Sequence, residues 1–179
     1  MKKLNIKTVV FAGVLIAMNI ILTRILEIDL GPYLRITFGA VPIFLSGLWF
    51  GPVVGGICGG IGDFIGCILK GYAINPFIMV TSVLAGVLPG VLKKYVFKGK
   101  LSTWQIALMV ILHGLIGSMG FTSVGLHIYY GTPWVVLLPS RGIQTVGLVI
   151  ANTILVSVLY RSVLTQFVQQ SIFERRRRK

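Results

Sequence analysis

Charged side chains inside apolar segments are the residues of this sequence best placed to do chemistry. Asp63 lies in a glycine-rich apolar stretch, seven residues before Lys70, and Arg141 lies seven residues after Trp134. An ionisable side chain in the hydrocarbon of a bilayer costs about 2.5–3.5 kcal/mol by insertion scales, so such residues commonly mark ligand or ion sites. We therefore predict that Asp63 and Arg141 lie at similar depth and face each other. They can form a structural ion pair, a polar ligand site, or an ion pair that separates when a ligand binds.

Further polar side chains are expected around this pair. Arg24, Arg35 and Lys70 fall at the corresponding ends of their segments, so the charges converge on one half of the molecule. Ser118 and Gln144 can donate and accept hydrogen bonds with a ligand, or bond back to their own helices. These residues are the remaining candidates for a binding site.

Catalytic and metal-binding patterns are missing from the sequence. It contains no His-Glu-His metal motif, no Walker loop and no Ser/His/Asp arrangement on one face. Cys58 and Cys67 lie nine residues apart, which is about 13 Å along a helix, so we expect free thiols. His113 has no second titratable group nearby with which to form a proton relay. We therefore predict no enzyme activity, no metal and no cofactor.

The composition places these residues in a membrane. Hydrophobic residues make up 55% of the 179-residue chain and charged residues 12%, with a mean hydropathy of +0.91. A soluble domain carries roughly twice that charged fraction. The net charge of +13 comes largely from basic clusters within residues 2–7, 93–100 and 175–179. Clusters at the ends of apolar segments indicate positive-inside topology, and a nucleic-acid partner is not expected.

Apolar windows predict an all-α integral membrane protein that forms one domain over residues 1–179. The six predicted transmembrane helices are 8–26, 36–50, 52–69, 76–92, 104–124 and 134–160. The second is too short to span the bilayer upright, so it either starts near Leu34 or lies deep in the bundle. Even numbers of crossings separate the basic clusters, so both termini are expected in the cytoplasm of a multi-pass protein of a bacterial plasma membrane.

Several motifs resemble those of one transporter family. They are residues 34–42 (Leu-Arg-Ile-Thr-Phe-Gly-Ala-Val-Pro), 47–52 (ending Gly-Pro), 59–63 (Gly-Gly-Ile-Gly-Asp), 75–77 (Asn-Pro-Phe) and 141–142 (Arg-Gly). This pattern resembles the substrate-binding S components of energy-coupling factor (ECF) vitamin transporters, above all the folate-specific ones. The resemblance covers nearly the whole chain and implies the six-helix S-component bundle.

The resemblance also implies a mechanism. An S component captures its vitamin at the outer face and delivers it by docking to an energy-coupling module of one transmembrane coupling (T) subunit and two ATPase subunits. In this family a small-xxx-small motif on the first helix serves docking, and Gly13 and Ala17 match it.

A folate ligand suits the candidate residues. The pterin edge offers a ring N–H beside an exocyclic amine, and Asp63 can accept both hydrogen bonds. The glycines at positions 62 and 66 leave space for a flat ring beside it. The cations suited to the two carboxylates of the glutamate tail are Arg24, Arg35, Lys70 and Arg141. The aromatic residues available as ring walls are Tyr33, Phe64 and Phe121.

Two alternatives stay open. The loop at residues 71–76 departs from the folate-type pattern, so the ligand can be another vitamin, such as thiamine, a pyridoxine or a queuosine precursor. The excess of cations over anions on the outer half favours an anionic ligand among these. The second alternative is an autonomous ion-coupled carrier or a small membrane enzyme. The lack of a titratable relay and of a nucleophile–base pair argues against it.

Overall fold

Helices make up nearly all of the described chain. The structure is a computed structural model and describes residues 6–29, 35–97 and 101–173. Its α-helices are α1 (Ile6–Arg24), α2 (Ala40–Phe50), α3 (Pro52–Lys70), α4 (Pro76–Val91), α5 (Thr103–His113), α6 (Ser123–Tyr130), α7 (Trp134–Arg161) and α8 (Val163–Phe173). A π-helical turn (Leu92–Val96) continues α4, and a π-helix (Gly114–Thr122) joins α5 to α6 without a break. Two-residue strands β1 (Ile28–Asp29) and β2 (Arg35–Ile36) pair antiparallel between α1 and α2.

Five helical stretches are long and apolar enough to cross a membrane. They are Ile6–Arg24, Pro52–Lys70, Pro76–Val96, Thr103–Tyr130 and Trp134–Arg161. The predicted all-α membrane bundle is therefore confirmed. The remaining predicted span, 36–50, corresponds to α2, which has only 11 residues, or about 16 Å. All residues from Val41 to Leu48 are buried, so α2 lies inside the bundle, one of the two arrangements that the sequence left open.

Proline and its preceding residue set two helix starts. Gly51 adopts a φ of +93°, which a residue with a side chain rarely tolerates, and Pro52 then begins α3. Asn75 caps α4, because its side-chain oxygen accepts a hydrogen bond from the Phe77 amide at 3.0 Å. Its side-chain nitrogen also donates to the Gly125 carbonyl at 3.1 Å, which ties this end of α4 to α6.

Glycines bring α2, α3 and α4 into backbone contact. A Cβ on Gly86 of α4 would overlap the backbone of Gly55, and a Cβ on Gly59 would overlap the Ser82 carbonyl. A Cβ on Gly55 would lie 2.7 Å from the Gly47 Cα. Small residues permit such close approach of helices in a membrane. Most of the glycine density of α3 therefore serves helix packing.

The chain after residue 160 forms a further helix that the sequence analysis did not predict. In α8, the Thr165 hydroxyl accepts a hydrogen bond from the Trp49 indole at 3.0 Å. Phe167 packs edge-on against Phe11 of α1, with ring centroids 6.4 Å apart. Because α8 is short and carries several polar residues, it produces no apolar window long enough for a span.

Candidate functional site

A cavity of about 200 Å³ lies between α1, α2, α4, the α5–α6 stretch and α7. One wall of the cavity is a stripe of side chains along α7, whose positions recur every three or four residues and so lie on one face of the helix. The members of this stripe are Arg141, Gln144, Thr145, Leu148, Val149 and Asn152. Its first and last members are eleven positions apart, so the stripe is about 16 Å long. We call the end of the cavity at Arg141 its outer end and the end at Asn152 its inner end.

Three residues predicted from the sequence meet at the outer part of this cavity. Arg141 Nη1 donates to Gln144 Oε1 at 3.2 Å. The Thr145 hydroxyl donates to Ser118 Oγ at 3.3 Å, which links the stripe on α7 to the π-helix. Among the described residues that line the cavity, Arg141 is the only Lys or Arg, and none is a carboxylate. This part of the cavity suits a ligand with an anionic group.

Hydrogen bonds from α4 hold the opposite wall. The Thr81 hydroxyl lies 3.0 Å from the Gly117 carbonyl and 3.0 Å from the Thr122 hydroxyl, so it fixes the π-helix against α4. His113 Nε2 lies 3.2 Å from the Thr81 carbonyl, which can only accept, so Nε2 carries the proton of this bond. The His113 ring also packs edge-on against Phe44, at 5.1 Å between centroids. His113, which the sequence analysis left without a ligand role, thus lines the cavity in a fixed orientation.

Asp63 pairs with Arg24 and not with Arg141, so the predicted Asp63–Arg141 pair is wrong. Arg24 Nη2 lies 3.2 Å from Asp63 Oδ1, and both side chains are 12% exposed. The same nitrogen lies 3.4 Å from Cys67 Sγ. The guanidinium also lies over the Tyr72 ring, at 5.6 Å from its centroid. Helix spacing placed Asp63 within an apolar helix but could not show that α1, rather than α7, packs beside it.

The predicted space for a ring beside Asp63 is filled by α1. A Cβ on Gly62 would overlap Asn19 Oδ1, and a Cβ on Gly66 would lie 2.6 Å from Arg24 Nε. These two glycines therefore make room for side chains of α1.

The remaining predicted residues are not among the described residues that line the cavity. Lys70 forms an ion pair with Glu27 at 2.7 Å, at the same end of the bundle as Arg24. Phe121 and Phe64 are exposed on the outer surface of the helices. Arg35 has its backbone in β2, and its side chain is outside the described part of the structure, as is the whole of Tyr33.

The predicted docking residues lie on a free face of α1. Gly13 and Ala17 are both exposed, and a Cβ on Gly13 would meet nothing within 4 Å. Internal packing of the described bundle therefore does not explain this small-residue pair, in contrast to the glycines of α3.

Sequence reasoning missed two amides that line the cavity. Asn19 is buried in α1, and its side-chain nitrogen donates to the Gly39 carbonyl at 2.7 Å. Asn152 is buried in α7. The signal was present in both cases, because a polar side chain within an apolar segment is costly to bury and commonly has a function.

The comparison with known proteins identifies the family. The family model described as "ECF-type riboflavin transporter, S component" matches residues 3–165. The chain belongs to the S-component family of ECF transporters. It is therefore a transport protein, and the predicted multi-pass location in the plasma membrane is confirmed.

Relatives of this S component include a protein named for folate. The chain is 30% identical over 143 residues to the "Folate transporter FolT" of Clostridium novyi (strain NT), which is 79% of each chain. It is 30% identical over 129 residues to the "Uncharacterized protein MG313 homolog" of Mycoplasma pneumoniae, covering 70% of this chain and 44% of that one. The structure described as "Crystal structure of FolT bound with folic acid" superposes with a TM-score of 0.72 at 26% identity, covering 84% of this chain and 90% of the other.

Proposed function

We propose that this S component binds folate in the cavity along α7 and delivers it to an energy-coupling module. The observation that carries the proposal is the stripe on α7 with Arg141 at its outer end. The glutamate tail of folate brings two carboxylates, and a guanidinium binds a carboxylate through two parallel hydrogen bonds. The similarity to a folate transporter over 79% of each chain supports the same ligand.

Folate binding requires the outer end of the cavity to open. A volume of about 200 Å³ is smaller than the roughly 300–1,000 Å³ of typical small-molecule pockets. Two ion pairs, Arg24–Asp63 and Lys70–Glu27, lie at the end of the bundle where α1 and α3 finish. We propose that the ion pairs of this rim separate to admit the vitamin and close again after it enters. Direct contact between Asp63 and the pterin stays a prediction, and it would require this ion pair to separate.

Riboflavin is the second candidate, because the matching family model is described by that vitamin. Riboflavin has no carboxylate, so it gives Arg141 no anionic partner. A thiamine site would instead offer its cation carboxylates or stacked aromatic rings, and the described lining contains no carboxylate. The electrostatics of the cavity therefore favour folate over both.

Calorimetric titration of the purified protein in detergent with folic acid, riboflavin and thiamine tests the proposal. We expect folic acid to bind one-to-one and more tightly than the other two. Arg141→Gln should weaken folic acid about 10- to 100-fold, since hydrogen bonds to charged groups contribute about 1.5–3 kcal/mol. Arg161→Gln is the matched control, because Arg161 is exposed and lies on the same helix about 30 Å from Arg141. Tighter binding of riboflavin than of folic acid would refute the assignment of folate.

We further propose that the exposed face at Gly13 and Ala17 docks to the T subunit of the energy-coupling module. Gly13→Leu should abolish co-purification with the module and folate uptake into vesicles, while folic acid affinity of the isolated subunit stays unchanged. Gly147→Leu is the control, since Gly147 is equally exposed and has open space around it, but on α7. Normal uptake by the Gly13→Leu variant would exclude this face from docking.

A further inference from the structure

Asn152 is a buried amide whose side-chain oxygen has no partner in the described part of the chain. Its side chain is 6% exposed, and its Oδ1 is buried and accepts no hydrogen bond from any residue that the structure describes. Buried polar groups in native proteins are nearly always hydrogen-bonded, so each exception requires an explanation.

Two other buried amides have the partners that Asn152 lacks. Asn19 donates to the Gly39 carbonyl at 2.7 Å. Asn75 both accepts from the Phe77 amide and donates to the Gly125 carbonyl. Those two asparagines connect neighbouring segments of the fold, whereas Asn152 lies within α7 and its oxygen bonds to no other described segment.

The position of Asn152 supplies the second observation. It lines the inner end of the cavity, on the same helix face as Arg141 and about 16 Å from it. The cavity thus carries a cation at its outer end and an amide with unused hydrogen-bonding capacity at its inner end. This arrangement matches an elongated ligand that is anionic at one end and polar but uncharged at the other.

We propose that Asn152 recognises the heterocyclic end of the ligand and so helps to determine specificity. An asparagine amide presents one donor beside one acceptor, and it pairs with a ring edge that offers an acceptor beside a donor. The lactam edge of a pterin, with its carbonyl next to a ring N–H, has this pattern. The inference rests on the proposed function, and it places the pterin deep between α5 and α7 instead of beside Asp63.

Replacement by leucine separates ligand recognition from a structural role. Asn152→Leu keeps the shape of the side chain and removes an unsatisfied polar group, so the ligand-free protein should unfold at the same or a higher temperature. Folic acid affinity should nevertheless fall about 10- to 100-fold. Ser157→Ala is the matched control: Ser157 is also 6% exposed on α7 with an unpartnered oxygen, but it is not among the residues lining the cavity. This variant should bind folic acid normally.

A truncated ligand locates the contact. N-(4-aminobenzoyl)-L-glutamate lacks the pterin, so Asn152→Leu should leave its affinity unchanged, whereas Arg141→Gln should weaken both this fragment and folic acid. An unchanged affinity of Asn152→Leu for folic acid would overturn the inference. An equal loss for folic acid and the fragment, or a lower unfolding temperature together with weaker binding, would also overturn it.

Failure of the proposed function gives a different result. If the wild-type protein binds riboflavin and not folic acid, folate is wrong as the ligand, and the role of Asn152 is then decided with riboflavin. The riboflavin ring carries the same lactam pattern, so the leucine variant should lose riboflavin affinity if Asn152 recognises the ring. Unchanged riboflavin affinity in that case would overturn the role of Asn152.

Discussion

Breaking the Arg24–Asp63 pair should destabilise the protein and reveal what the pair does. At 3.2 Å, two unit charges attract by about 5 kcal/mol at an effective dielectric constant of 20, before the cost of their desolvation is subtracted. Removing one partner leaves the other charge largely buried, since each side chain is only 12% exposed. Fully buried pairs lose about 3–5 kcal/mol in this way. We therefore expect Asp63→Asn and Arg24→Gln each to lower the free energy of unfolding by about 2–4 kcal/mol.

Unfolding of the single and double variants in mixed micelles measures this coupling. The double variant Arg24→Gln/Asp63→Asn should lose about as much stability as either single variant, because no charge is then left without its partner. The control is Arg161→Gln, which removes an exposed cation of α7 and should change the free energy of unfolding by under about 1 kcal/mol. Strict additivity of the two single substitutions would refute the interpretation of Arg24 and Asp63 as a coupled pair.

The same variants test the contact between Asp63 and the ligand that the sequence predicted. If the pair only closes the rim, both single variants should change folic acid affinity in the same direction and by less than about tenfold. If the carboxylate binds the pterin directly, Asp63→Asn should weaken binding strongly. Arg24→Gln should then strengthen it, because the carboxylate is released from its partner. Opposite effects of these two variants would show that the pterin lies beside Asp63.

Two further predictions concern the packing of the bundle. Gly59→Ala should lower the free energy of unfolding by at least about 2 kcal/mol, because the added methyl group overlaps a backbone carbonyl of α4. The control is Gly142→Ala, whose added methyl group meets nothing within 4 Å and which should be neutral or slightly stabilising. Thermal unfolding of both variants measures the difference. Asn75→Ala should lower the free energy of unfolding by about 1–3 kcal/mol, since it removes the cap of α4 and leaves a buried carbonyl of α6 without its donor. An unchanged unfolding temperature would contradict this role of Asn75.

Features of the fold that depend on residues adjacent in the sequence were predictable from the sequence. The start of α3 at Pro52 and the capping of α4 by Asn75 follow from local backbone chemistry, and apolar length alone identifies the long helices. The extent of α2 was less certain, because its 11 residues are too few for a span and its burial depends on the helices around it.

Features that depend on which helices are neighbours were harder to predict. The apolar pattern placed Asp63 within a helix, but the identity of its partner depends on the rotation of α1 and α3 about their axes. Two residues of the stripe on α7 were predicted from the sequence: Arg141 because a charge in an apolar segment is unusual, and Gln144 because it lies one helical turn from Arg141. Asn152 was missed because one uncharged residue barely changes the hydropathy of a long apolar window. The π-helix that lines the cavity has no signature in a search for the 3.6-residue period.

The backbone contacts among α2, α3 and α4 restrict how this protein can move. Where glycines bring two main chains together, no flexible side chain lies between them to absorb sliding or rotation. These three helices therefore behave as one stiff body during any functional cycle. Enlargement of the cavity must come from displacement of the other helices that line it, α1, the α5–α6 stretch and α7, relative to that body. A change of orientation in the bilayer must carry the three helices as a unit.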